Sequence, residues 1–451
     1  MSQLFDDINS ITAEEWKNQI ARDLKGLTTD QLAKIDRSGI KISPFYNVEN
    51  VKQKPSPIFT HTDWLTGIRL ENETSKKQNS LALETLNCGA DSLTFLIDET
   101  TSVNNLLENI QADIIQSNFE LRSKTSAFCD DLKKYFHTSS LQLNSISGYV
   151  QLDPVSLFVK GYHDQAEKRF DAWLSLFNHP LFTETNLSPM VTDASIYQNA
   201  GCSAFTELSL TLAHLNEQLN LLSENKIKTG EKTIHLKITL STNFFETVSK
   251  LRALRILCAH LLKQYQLNNP IFIHAYSSVI DKTAADAHNN LIRTSIEGMA
   301  GIAGGANAIN LIPYDYFSDQ RDSQSARLAV SQLMIFKEEA FLADVADAGA
   351  GSFFIENYTK ELTETAWKSF QLIEKKGGLI AISKSGELKE RVEKEASQLR
   401  DEYVSGKKIL IGVNKFPNAK EKVSRKSISI SLSEKGILPV FAEDWLSAQK
   451  N

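Results

Sequence analysis

The feature that most constrains this chain is a steady alternation, from Leu81 to about residue 380, of short apolar runs with helix-length amphipathic ones. Strands are expected at Ser92–Asp98, Ile114–Glu120, Ser145–Leu152, Leu187–Thr192, Thr233–Thr242, Ile271–Tyr276, Ala308–Ile312 and Ala343–Asp347. Helices are expected between them at Val103–Ile110, Lys124–Phe136, Asp164–Phe177, Ala204–Leu222, Phe244–Tyr265, Ala284–Ile302 and Ser325–Phe341, with a further one at Lys360–Ile373. Strands this short and apolar, separated by helices, build βαβ units and a parallel sheet. Eight such strands are the count of a (β/α)8 TIM barrel, an α/β fold. A doubly wound sheet would carry a glycine-rich phosphate turn after its first strand. Here that strand runs into Asp98-Glu-Thr-Thr-Ser102, so the barrel is the reading.

The barrel is expected to occupy residues 81–380, between an arm at 1–80 and a C-terminal helix and tail at 381–451. The arm carries short helices at Ala13–Leu24 and Thr28–Ile35, then a path broken by prolines through Ser43-Pro-Phe-Tyr46 and Lys54-Pro-Ser-Pro57. With so little periodicity it lies over the surface of the main domain or of a partner chain. Trp16, Phe45, Tyr46 and Trp64 are its expected anchors. At the other end, Ser383–Lys408 reads as a helix with a charged, solvated face. Ile409–Val413 reads as strand-like, and the run from Ser427 to Ser433 as tail.

Composition narrows the function classes. Charged residues are 23% and the net charge is −6, which speaks against a nucleic-acid partner. Cys88, Cys129, Cys202 and Cys258 form no C-x-x-C pair and read as free thiols. The N-terminus has neither the basic nor the apolar region of a signal peptide, and no apolar run reaches membrane-spanning length. A cytoplasmic protein with no membrane partner is the expectation.

A barrel enzyme draws its catalytic groups from the C-terminal ends of its strands. Here those ends hold Asp98, Glu99, Asp153, Asp193, Thr242, Asn243, His274 to Ser278, Tyr314, Asp315 and Asp347. The set is acidic and hydroxylic and contains no nucleophile beside a base. His274 is the strongest candidate for chemistry, against the alternative of a hydrogen-bonded core histidine. No H-E-x-x-H pattern exists, so no metal site is expected. Gly301, Gly304 and Gly305 read as a helix end feeding a strand, because a dinucleotide cradle has its glycines after a strand.

Several stretches, in order along the chain, resemble the methylmalonyl-CoA mutase family. They are Trp16–Gly26, Gly39–Tyr46, Asn243–Arg255, Asn289–Glu297, Asp347–Glu356 and Gly412–Asn414. The resemblance implies a barrel for a CoA ester and, in catalytic members, a separate adenosylcobalamin-binding domain. The departures fall on the family's chemistry-bearing positions. Arg69 stands near the family's tyrosine, Ile196 at its histidine, and Phe272 and Tyr276 at an arginine and a glutamine, while His274 and Ser278 are kept. Isoleucine can neither donate a proton nor form a hydrogen bond to a thioester carbonyl. The cobalamin signature D-x-H-x-x-G has only an echo in Asp286-Ala-His-Asn-Asn-Leu291, without the glycine.

The resemblance therefore implies a non-catalytic small (beta) subunit, paired as a heterodimer with a catalytic large (alpha) subunit that holds the adenosylcobalamin. The complex would interconvert (R)-methylmalonyl-CoA and succinyl-CoA. No catalytic, cofactor-binding or metal-binding residue is assigned to this chain, and binding of a CoA ester by it is doubtful. Two alternatives stand beside this reading. One is an active substrate-binding subunit served by a separate cobalamin protein, and the other is a regulatory barrel that binds a CoA ester.

Overall fold

The computed structural model describes residues 11–50, 56–71, 74–122, 126–318, 324–418 and 436–448. Its centre is a parallel barrel of eight strands: β1 Leu65–Leu70, β2 Ser92–Ile97, β3 Gln116–Leu121, β4 Ser147–Gln151, β5 Asn186–Asp193, β6 Ile234–Thr239, β7 Ile271–Tyr276 and β8 Ala308–Asn310. β5 is broken. Its first half, Asn186–Ser188, pairs with β4, and its second half, Val191–Asp193, pairs with β6. Pro189, which has no N–H to give a ladder, lies between the halves, and the ring closes through this interrupted strand.

Two expectations are corrected. The first barrel strand is Leu65–Leu70, so Trp64 opens the barrel and is not part of a surface arm. Ala343–Asp347 is not a strand but a short 3-10 turn, Leu342–Asp344, and the run after Asp347 enters the helix Phe353–Lys375. The count of eight held because one strand was missed and one was supplied in excess. Ile409–Val413 contributes only an isolated bridge, Ile411 to Lys415. The Ser427–Ser433 run, Lys54 and Pro55 lie outside the described residues, as does the start of the expected Lys124–Phe136 helix.

Strand sequence explains the layering. In β6, Ile234, Leu236 and Ile238 belong to the apolar core between sheet and helices, while the alternate residues His235, Lys237 and Thr239 face the axis. Long helices at Ala204–Glu224, Phe244–Gln264, Asn289–Ala303 and Ser325–Glu338 cover the outside. Gly148 in β4 shows how tightly neighbouring strands meet. Its φ is +126°, and a Cβ there would collide with the carbonyl oxygen of Ser117 on β3.

The flanking segments meet on this barrel. The arm's helix Ala13–Asp23 is well capped by Thr12 and Glu15 yet buries none of its residues. Trp16 packs on Phe45 at a ring separation of 4.1 Å, and Tyr46 on Phe354 at 5.2 Å. At the other end, residues 436–441 run as a strap across the C-terminal mouth of the barrel. Ile437 N–H donates to the Val159 carbonyl, Val440 N–H to Asn199 and Ala442 N–H to Ile280. The Glu443 carboxylate accepts from the N–H groups of Ala284 and Ala285. Gly436 lies so close to the Lys160–Gly161 backbone that a Cβ would have no room.

Candidate functional site

The alternation that points apolar residues outward leaves an inner wall that is polar where many barrels carry Val, Ile and Leu. Near the mouth this wall condenses into a charge cluster. Lys237 Nζ on β6 donates to Glu120 Oε1 on β3 at 2.7 Å, to Asp193 Oδ2 on β5 at 2.9 Å and to Gln151 on β4 at 3.0 Å. Arg69 on β1 donates to Glu120 Oε2 at 2.8 Å and pairs with Glu71. β3 and β6 are three strands apart in the ring, so the Lys237–Glu120 bond spans the lumen. One layer below, Tyr149 and Tyr276 hydroxyls meet at 3.2 Å, again across the ring. Below them, His235 Nδ1 and His274 Nε2 lie 2.8 Å apart with the Phe272 ring 4.7 Å from that of His274.

The electrostatics move Glu120, Asp193, Lys237, Tyr149, Tyr276, His235 and His274 away from neutral pH. Burial pushes the Glu120 carboxyl up, but the Arg69 and Lys237 cations outweigh it and bring it down to about 2. Asp193 is likewise held below the carboxylate range, burial being overcome by Lys237 and Lys160. Lys237 is held above its ordinary value because Asp193 and Glu120 outweigh its desolvation. Burial raises both Tyr149 and Tyr276. Burial lowers His235 to about 3, and burial with the neighbouring His235 and Lys237 lowers His274 far below its usual value. A general acid or base works best when it titrates near the working pH. None of these lumen groups does.

The residues singled out in the sequence divide accordingly. His274 is the core histidine, fully buried against His235. Arg69, Phe272 and Tyr276 fill the lumen, and Ser278 donates to Asn199 Oδ1 at 3.4 Å. Ile196 sits half-buried at the mouth, on the short helix Ser195–Asn199. That helix is pinned from below by a buried chain in which Tyr197 OH meets His214 Nδ1 at 2.9 Å and His214 Nε2 meets Asp153 at 2.9 Å. Asp153 also caps the helix Pro154–Val159, so the chain is structural. Asp347 is not at the rim. It is buried in an ion pair with Arg252, far along the helix Phe244–Gln264. Asp98 and Thr101 close a local turn. Sequence reasoning missed Lys237, Glu120 and Asn310 as lumen residues. The signal was present as polar residues at every second place in β3 and β6 and as a lone asparagine in β8.

Adenosylcobalamin can be tested against this chain's own residues. His288, the histidine of the cobalamin-like echo, stacks on Tyr314 at 5.0 Å, and Asp286 accepts from Asn289. Across the mouth lies the strap, with Phe441 packed on Phe317. These residues do not form a corrin cradle. No group of three or more potential metal ligands occurs among the described residues, and no described helix is long and apolar enough to cross a membrane. All four cysteines are free, with Cys129, Cys202 and Cys258 buried.

Comparison with known proteins gives a consistent picture. The family model described as methylmalonyl-CoA mutase matches residues 88–436. The methylmalonyl-CoA mutase small subunit of Porphyromonas gingivalis is 27% identical over 96% of this chain and 74% of its own length. The small subunit of Streptomyces virginiae is 24% identical over 78% of this chain and 58% of its own length. The large subunit of Propionibacterium freudenreichii subsp. shermanii is 32% identical, over 49% of this chain and 31% of its own length.

Proposed function

The chain belongs to the methylmalonyl-CoA mutase family, and from that premise we propose that it is the non-catalytic small subunit of a heterodimeric mutase. Its partner is a large subunit that binds adenosylcobalamin and interconverts (R)-methylmalonyl-CoA and succinyl-CoA, in the cytoplasm. The observation that carries the proposal is the occupied lumen. Arg69, Glu120, Asp193 and Lys237 join across the space a substrate would need. A CoA ester threaded along the lumen would have to break a paired cluster, which leaves buried charges uncompensated at a cost of roughly 3–5 kcal/mol. Similarity to chains named small subunits supports the same reading.

The contribution of this chain is then architectural. Its barrel presents a rigid outer surface, and its arm offers an apolar face that its own fold leaves uncovered. Ile11 is 71% exposed and Leu27 47% exposed, on either side of a helix that buries nothing. We assign that arm to subunit pairing. The test is co-expression with a full-length large subunit, followed by sedimentation analysis. A 1:1 complex is expected. Mutase turnover by this chain mixed only with a separate cobalamin-binding protein would overturn the proposal.

A further inference from the structure

The helix Asn289–Ala303 turns its charges inward and its apolar residues outward. Its two ionised residues, Arg293 and Glu297, are buried. Arg293 donates to Thr283 and Asn290, and Glu297 accepts from Lys282 at 2.8 Å. The outward side presents Ile292, 63% exposed, and Met299, 39% exposed, with Ile296 half-buried between them. The neighbouring helix, Ser325–Glu338, continues this surface with Leu328 and Ile335, 40% and 46% exposed. Gln332 ties the two helices together, donating to the Leu291 carbonyl and to Ser295 Oγ, both at 2.7 Å. They pack closely, since a Cβ at Gly298 would already press on Phe336 and Leu333. The result is a charge-free face of roughly 20 by 22 Å on two rigid elements. A surface helix ordinarily turns its charges to solvent, and a contiguous apolar face marks an interface.

The ends of this face decide what covers it. On Ser325–Glu338, Lys337 is engaged by Asp63 and the Trp64 carbonyl. That leaves Arg327 exposed at one end and Glu338 exposed at the other, neither with an ion-pair partner among the described residues. A patch positive at one end, apolar in the middle and negative at the other matches itself after a half-turn, which is what a two-fold dimer requires. Set antiparallel about the small residue Ser331, the helix brings Leu328 against the partner's Ile335 and Arg327 within a turn of the partner's Glu338. The same half-turn brings Ile292 against the partner's Met299. We infer that the face formed by Asn289–Ala303 and Ser325–Glu338 pairs with the same face of a second copy of this chain. Its extent is below the roughly 800 Å² per partner of a tight complex, so the association is micromolar. None of these residues belongs to the arm assigned to the large subunit, and the two assignments stand or fall separately.

Sedimentation equilibrium of the full chain, with no large subunit present, tests it. A monomer–dimer equilibrium with a Kd of about 10–100 µM is expected. Leu328→Lys should weaken it about tenfold or more by placing a charge in the apolar centre. Arg327→Glu should weaken it about fivefold, through two lost end pairs and the repulsion that replaces them. Both positions are exposed, and the melting temperature of each variant is the control on folding. Adding Glu338→Arg to Arg327→Glu should recover the affinity, because the double variant restores the end-to-end match. A chain that stays monomeric at several hundred micromolar, or dimers undiminished by Leu328→Lys in a folded chain, would overturn the assignment. So would a double variant no tighter than Arg327→Glu alone. A Leu328→Lys effect seen only on the complex with a large subunit would give the face to that partner and equally overturn it.

Discussion

His235 lies fully inside the barrel as a neutral ring, which makes it a pH-dependent element of stability. Its value near 3 in the fold lies below the ordinary 6.5, so the unfolded chain binds the proton more readily. Stability from this site is present above pH 6.5 and is lost as pH falls through it. Between pH 7 and pH 5 the loss amounts to about 2 kcal/mol. Chemical denaturation of His235→Gln at both pH values should show a difference smaller by that amount than in the unsubstituted chain. Lys237 is the second test at this scale. Lys237→Met strands Glu120 and Asp193 and should cost about 3–5 kcal/mol. Pairing it with Asp193→Asn restores the charge balance and should recover at least half of that loss in the same denaturation experiment. Both residues were visible in the sequence as polar members of an alternating strand, Ile234-His-Leu-Lys-Ile-Thr239. Their roles were not visible, because Glu120 lies 117 positions from Lys237. Only ring closure tells an inward lysine from a solvated one.

Elements were more legible than residues wherever local patterning sets the outcome. β7 was expected at Ile271–Tyr276 and lies there, bounded by Pro270 and carrying an unbroken apolar outer face. β1 was missed because Gly67 and Arg69 interrupt its apolar pattern and prolines precede it. Ala343–Asp347 misled for the opposite reason: its small apolar residues mimic a strand, but Phe341 enters the turn with φ +54°. The broken β5 reflects Pro189, a residue that sequence patterning alone places equally well at a strand edge. Gly148 gives the element-scale prediction. Gly148→Ala forces a side chain into the Ser117 carbonyl at a positive φ and should destabilise the chain by about 3 kcal/mol or more. A denaturation midpoint that barely moves would mean that β3 and β4 separate more easily than their register implies.

At the scale of the whole molecule, the barrel and the arm have different solvents. The barrel buries its apolar residues against its own helices, whereas the arm's helix buries none of its residues, packs Trp16 on Phe45 and is flanked by the exposed Ile11 and Leu27. Trp16→Ala should leave the melting temperature of the isolated chain nearly unchanged and weaken the complex with a large subunit by about tenfold or more, as loss of an aromatic anchor does. The family likeness was legible from stretches spread along the chain, and the proposed loss of chemistry rests on the expectation that Arg69 and Ile196 stand at its working positions. The lumen closed by its own ion pairs needed the fold. The central claim is that this chain lends structure and no catalytic group, and turnover of the reconstituted heterodimer tests it most directly. Mutase activity of the complex should be the same, within about twofold, with His274→Gln in this chain as with the unsubstituted chain. A fall of a hundredfold in the intact 1:1 complex would place a catalytic group here and contradict the account.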